Sequence, residues 1–106
     1  MDLRAIQEVE HVDRKGYFPD FVDRFTIEYD LLALAGEVGE ACNDLKKHLR
    51  GDFDIVELKS RLYKELPDIL IYLVMAAAIM DIDLEDAYED KKDFNNARYL
   101  GPSEVR

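Results

Sequence analysis

At 106 residues, 48% apolar and 36% charged, the chain has the length of one domain with a modest core and the composition of a folded protein. A formal net charge of -10 argues against a nucleic-acid or anionic-membrane surface, which needs clustered Lys and Arg, and suits hard divalent cations. Its single cysteine, Cys42, excludes an internal disulfide and a thiolate zinc cluster, and its apolar neighbours mark it as a small buried hydrophobe.

The first helix is read from Leu3, Ile6, Val9 and Val12, and its pattern stops at Gly16 and the Tyr17-Phe18-Pro19-Asp20 turn. Phe21 and Phe25 follow on a short helical or irregular connector. The second helix starts between Ile27 and Asp30. It carries an apolar stripe of Leu31, Leu34, Ala35, Val38, Cys42, Leu45 and Leu49, and Gly51 closes it with a left-handed cap. Asp54, with Glu57 three residues on, opens the third helix. That helix runs to about Met80 with Pro67 inside it, and Ile69 to Met80 is apolar on every face. Such a stretch must be covered all round, so burial against another subunit is expected. At twelve residues it is too short for a membrane span, which takes roughly 20. Asp83 caps a fourth helix that ends near Tyr99 before Gly101-Pro102. Met1 to Glu10 lacks the apolar core of a signal peptide, so a cytoplasmic protein is expected. The reading is all-α: one four-helix-bundle domain over residues 1–106, completed by oligomerisation.

Two acidic pairs carry the chemistry, Glu37 with Glu40 and Glu65 with Asp68. Members of each pair are three residues apart and share a helix face. Either pair alone is what an acidic, solvated helix would show. Together they mean more. The short connection at Gly51 makes the two helices an antiparallel hairpin. Glu37 and Glu40 lie about 11 residues before the turn and Glu65 and Asp68 about 12 after it, so at 1.5 Å per residue all four fall about 17–18 Å from the loop.

The surrounding backbone is also costly. Gly36 and Gly39 in mid-helix cost about 1 kcal/mol each relative to alanine. Pro67 removes a helical hydrogen bond at about 3 kcal/mol. Close packing of a ligand or helix, or a kink that re-aims a carboxylate, would give that strain a purpose. Four converging carboxylates repel one another, and Mg²⁺ or Mn²⁺ would relieve them. Tyr72 continues the Glu65 and Asp68 row. Histidine sites fit poorly: there is one Glu-x-x-His pair, Glu8 and His11, and no HExxH spacing.

The segments Leu32-Ala-Leu-Ala-Gly-Glu-Val-Gly-Glu40 and Glu65-Leu-Pro-Asp-Ile-Leu-Ile-Tyr-Leu73 resemble the ExxE…ExxD signature of MazG-like all-α nucleoside triphosphate pyrophosphohydrolases, as does the later Lys91, Asn95, Arg98, Tyr99 segment. The resemblance runs from about Ala5 to Tyr99 and is closest to single-domain MazG-like proteins and dCTP pyrophosphatases. It implies a Mg²⁺-dependent enzyme (Mn²⁺ as an alternative) that releases pyrophosphate from a nucleoside triphosphate. It also implies metal ligands at Glu37, Glu40, Glu65 and Asp68, with Glu37 or Glu40 helping to deprotonate the attacking water. Tyr72 would help hold the nucleotide, Phe21 would stack on the base, and Lys91, Asn95 and Arg98 would reach the phosphates from the same or a neighbouring subunit. A solvated face explains Lys91 and Arg98 equally well. A homodimer or homotetramer is implied. Departures bear on substrate choice: the chain has no Trp, Lys47 stands where dCTP-preferring members have one, and Asn43 replaces an acidic residue. Two alternatives are a non-catalytic helical adaptor on the same fold and a phosphoribosyl-ATP pyrophosphohydrolase.

Overall fold

The computed structural model describes residues 2–101, apart from the side chains of residues 21–23. Four α-helices follow one another: α1 (Leu3–Tyr17), α2 (Ile27–Leu49), α3 (Ile55–Ile79) and α4 (Leu84–Tyr99). A six-residue 3-10 segment, Pro19–Arg24, joins α1 to α2, and there is no strand among the described residues. None of these helices is long and apolar enough to cross a membrane.

Each helix begins on a side-chain cap. The carboxylates of Asp2, Asp54 and Asp83 and the hydroxyl of Thr26 each accept a backbone N–H from three residues further on. Three helices end in left-handed residues, Gly51 after α2, Asp81 after α3 and Gly101, at φ 81°, after α4. Gly51, at φ 92°, closes α2 as its sequence position predicts, and the Asp52 N–H donates back to the Lys47 carbonyl at 3.0 Å. Asp81, at φ 54°, does the same after α3, with the Ile82 N–H donating to Ala77 at 2.9 Å. Pro67 lies inside an unbroken α3.

The α2–α3 hairpin is the most extensive packing in the chain; α1 lies against α3, and α4 rests mainly on α1. Arg4 clasps α4 by reaching Asp83 at 2.7 Å, Glu85 at 3.0 Å and Asp86 at 2.8 Å. Buried side chains are few: Leu58, Val74, Met75, Ala76 and Ala77, with the ion pair of Arg14 and Asp30.

The inward faces differ from the sequence reading. On α2 the half-buried side carries Leu34, Glu37, Ala41 and Asp44, whereas Leu31, Val38, Cys42, Leu45 and Leu49 point outward. Cys42 is therefore exposed, not buried, because no element among the described residues covers its face. On α1 the inward positions are Leu3, Ile6, Glu10 and Arg14, so the expected Val9 and Val12 face out. Nor do Gly36 and Gly39 serve close packing within the chain, since an added Cβ at either would meet nothing within 4 Å.

Candidate functional site

The antiparallel hairpin brings the acidic pairs to one level. One carboxylate oxygen from each of Glu37, Glu65 and Asp68 lies within 4.8 Å of the others. Helical spacing explains why. Glu37 belongs to the inward row of α2, and Glu65 sits among the inward Leu62, Ile69 and Tyr72 of α3. The acids thus occupy a helix interface where apolar contacts would ordinarily lie.

The electrostatics follow from that placement. Glu37 Oε2 and Glu65 Oε2 are buried and have no hydrogen-bond partner. Burial pushes the Glu37 carboxyl above its ordinary range, and the neighbouring Glu40 and Asp68 push it further. Burial also raises Glu65, followed by the adjoining Glu40, Glu37 and Asp44. Glu40 is thus electrostatically close to both while standing outside the trio that converges within 4.8 Å. At the loop side of the group, Arg61 donates to Asp44 at 3.3 Å and stacks over Phe53, its Cζ 4.2 Å from the ring centroid. These donors suit a divalent cation on two counts. They are all hard oxygens, and two of them are orphaned in a buried position.

Beside the acids opens a cavity of about 510 Å³, within the size range of small-ligand sites. Asp68 and Tyr72 border it on the acidic side, and Tyr17, Phe18, Phe25 and Tyr29 form an aromatic wall. Successive rings meet edge to face, with centroids 6.3, 5.8 and 5.5 Å apart. Burial raises the Tyr72 phenol above its usual value, so that it stays protonated near neutral pH.

A family model for the MazG nucleotide pyrophosphohydrolase domain matches residues 25–96, which contain all four carboxylates and Tyr72. The chain belongs to the MazG family. Within it, the chain is similar to dCTP pyrophosphatase 1 of Rattus norvegicus, 42% identical over 73 residues, and to that of Homo sapiens, 41% identical over the same length. Each alignment covers 65% of this chain and 43% of the relative, so the chain spans less than half the length of the curated relatives it matches. No solved structure matches the chain.

Other residues expected at a MazG site are placed less directly. Lys91, Asn95 and Arg98 lie on α4, which rests on α1, and none of them lines the cavity or belongs to the acidic trio. Lys91 Nζ lies 4.8 Å from the Phe94 ring centroid, and Arg98 Cζ lies 5.1 Å from that of Tyr99. The Phe21 side chain lies outside the described residues.

Sequence reasoning missed Asp30, the buried partner that holds Arg14 in the cavity wall. Asp30 accepts from Arg14 Nη1 at 3.1 Å and from Nη2. The signal was present in the spacing. Arg14 extends the Leu3, Ile6, Glu10 series, and Asp30 stands one turn before the inward Leu34. Opposite charges on two inward stripes call for a partner.

Proposed function

We propose that this chain hydrolyses nucleoside triphosphates to the monophosphate and pyrophosphate in the presence of Mg²⁺ (Mn²⁺ as an alternative). The observation that carries the reading is the gathering of Glu37, Glu65 and Asp68 oxygens within 4.8 Å, two of those side chains keeping an unpartnered buried oxygen. Such a group is stable in its ionised form only with a cation. Glu37, Glu65 and Asp68 would hold the ion, with Glu40 completing the set. When bound, the ion would offset triphosphate charge and make the attacking water more acidic.

The remaining steps belong to the chain. The Glu37 carboxyl, raised by burial and by the adjoining Glu40 charge, supports one of these two neighbours as acceptor of the water proton during in-line attack at the α-phosphorus. Glu40 is the better candidate because it stands outside the converging trio. Tyr72, between the acids and the aromatic wall, would hold the nucleotide where its two ends diverge, and the wall would take the base. Stacking on aromatic faces is worth roughly 1–3 kcal/mol per base. Lys91, Asn95 and Arg98 would meet the phosphates from a second copy of the chain. A role on the nucleotide pool would place the protein in the cytoplasm.

A second copy is also supported by what stays uncovered. Leu31, Val38, Leu45 and Leu49 on α2 and Leu66, Leu70 and Leu73 on α3 form two outward apolar stripes on one hairpin. Leu49 is 74% exposed and Leu66 55%. A homodimer or homotetramer that buries these stripes accounts for both the bare leucines and the position of α4.

The activity is tested by incubating the protein with the four dNTPs and Mg²⁺ and separating products by ion exchange. Monophosphate with pyrophosphate is expected. Nucleoside diphosphate with orthophosphate would overturn the bond assignment, and an absence of turnover would overturn the activity. Because the relatives are named for dCTP, that nucleotide belongs in the panel.

A further inference from the structure

Glu10, Arg14 and Arg24 are charged side chains of the cavity lining for which hydrolysis has no use. Glu10 and Arg14 lie one helical turn apart on α1. Arg14 is held from two directions. Asp30 accepts from both Nη atoms, and the Phe25 ring lies 4.2 Å from Cζ. A buried ion pair by itself says little about function. Here its consequence is a guanidinium fixed in the wall of a nucleotide-sized cavity.

The donors left over decide what that wall recognises. A guanidinium has five N–H groups and no acceptor. Asp30 occupies the outer pair, one on each Nη, which leaves Nε–H and the second Nη2–H parallel along one edge. Two parallel donors match two adjacent acceptors, and the O6 and N7 atoms of guanine are such a pair. Adenine presents an amino donor beside N7, which would set donor against donor. Glu10 is complementary in the other sense. Ionised, it only accepts, and it shows no hydrogen bond or ion pair among the described residues. The N1–H and 2-amino groups of guanine are donors on the neighbouring edge.

We infer that Arg14 and Glu10 make this cavity a guanine site, so that guanine nucleoside triphosphates are the preferred ligands. The inference rests on the pyrophosphohydrolase reading for the placement of the phosphates, and it departs from the cytosine nucleotide for which the relatives are named.

Base preference is read by binding, apart from catalysis. Titration calorimetry with the α,β-imido analogues of dGTP, dATP, dCTP and dTTP in Mg²⁺ should show the guanine analogue bound at least about tenfold more tightly than any other. Arg14→Lys keeps the charge but loses the parallel edge and should bring the four analogues to within about threefold of one another. The paired variant Arg14→Met with Asp30→Leu, which leaves no buried charge alone, should do the same while circular dichroism stays helical. Glu10→Gln should weaken the guanine analogue alone. Equal affinities, a tighter adenine or cytosine analogue, no binding of any analogue, or a guanine preference that survives both Arg14 variants would overturn the inference. Failure of the hydrolytic reading looks different: the affinity ranking would stand while the dNTPs gave no monophosphate and pyrophosphate.

Discussion

Glu37 Oε2 and Glu65 Oε2 are polar atoms kept where neither water nor a donor reaches them. Folding an apo chain therefore works against its own acids. Replacing Glu65 with Gln removes one charge and supplies a donor to the surrounding carboxylates. Metal-free Glu65→Gln should melt a few degrees higher than the parent, while the upward shift on adding Mg²⁺ disappears. Both are read by scanning calorimetry, and an unchanged Mg²⁺ response would remove Glu65 from the site. Glu40→Gln should keep the fold and lose at least about 100-fold in turnover, the usual size of a proton-transfer contribution. Asp30 poses the opposite case. It is fully buried and takes both ends of the Arg14 fork. Asp30→Ala leaves that cation uncompensated and should cost about 3–5 kcal/mol in urea denaturation. A loss below 1 kcal/mol would mean that the cavity already hydrates Arg14.

Helix ends in this chain are specified locally, and two of them invite measurement. Gly51 adopts φ 92° with open space around its α-carbon, so an alanine there meets no clash but does meet the left-handed penalty. Gly51→Ala should destabilise by about 1–2 kcal/mol at the α2–α3 turn. The α1–α4 clasp depends on pH. Arg4 donates to Asp83 and holds its carboxyl below the usual carboxylate value, with the capping N–H of Asp86 helping. A carboxyl whose folded value is depressed contributes stability that is present above its unfolded value, near 3.8, and lost as pH falls through the folded one. Glu85 and Asp86 also pair with Arg4, at 3.0 and 2.8 Å. Acidification below about pH 4 should release α4 before the α2–α3 hairpin melts, seen as earlier loss of amide protection in residues 84–99. Simultaneous loss of both would refute an independent clasp.

The whole chain is extended for its length. Its radius of gyration is 17.3 Å, against about 13 Å for a compact domain of roughly 100 residues, and its extents are 48 × 41 × 25 Å. The proposed assembly would cover the two apolar stripes along the α2–α3 hairpin. Leu66→Lys with Leu70→Lys should shift the mass measured by light scattering to the monomer. Turnover should fall with it if Lys91, Asn95 and Arg98 come from the partner. A wild-type protein that is monomeric at micromolar concentration would sink this reading.

The amino-acid pattern alone determined the four helices, the caps at Asp54 and Asp83, the stop at Gly51 and the common level of the acidic pairs, because 3.6-residue periodicity, capping side chains and a 1.5 Å rise are properties of short stretches of chain. It also carried the family, through acids spaced for one helix face. Tertiary structure decided which side of each helix turns inward. Both faces of α2 and α3 are apolar enough to be buried, so hydropathy could not choose between the row containing Glu37 and the stripe containing Val38 and Cys42. Packing against α3 chose the acidic row and left Cys42 exposed. The Arg14–Asp30 pair was decided in the same way. Its partners are 16 residues apart, and only the 3-10 turn at Pro19–Arg24 folds α1 back so that one charge finds the other. Local rules set where a helix starts and stops; long-range contacts set what it faces.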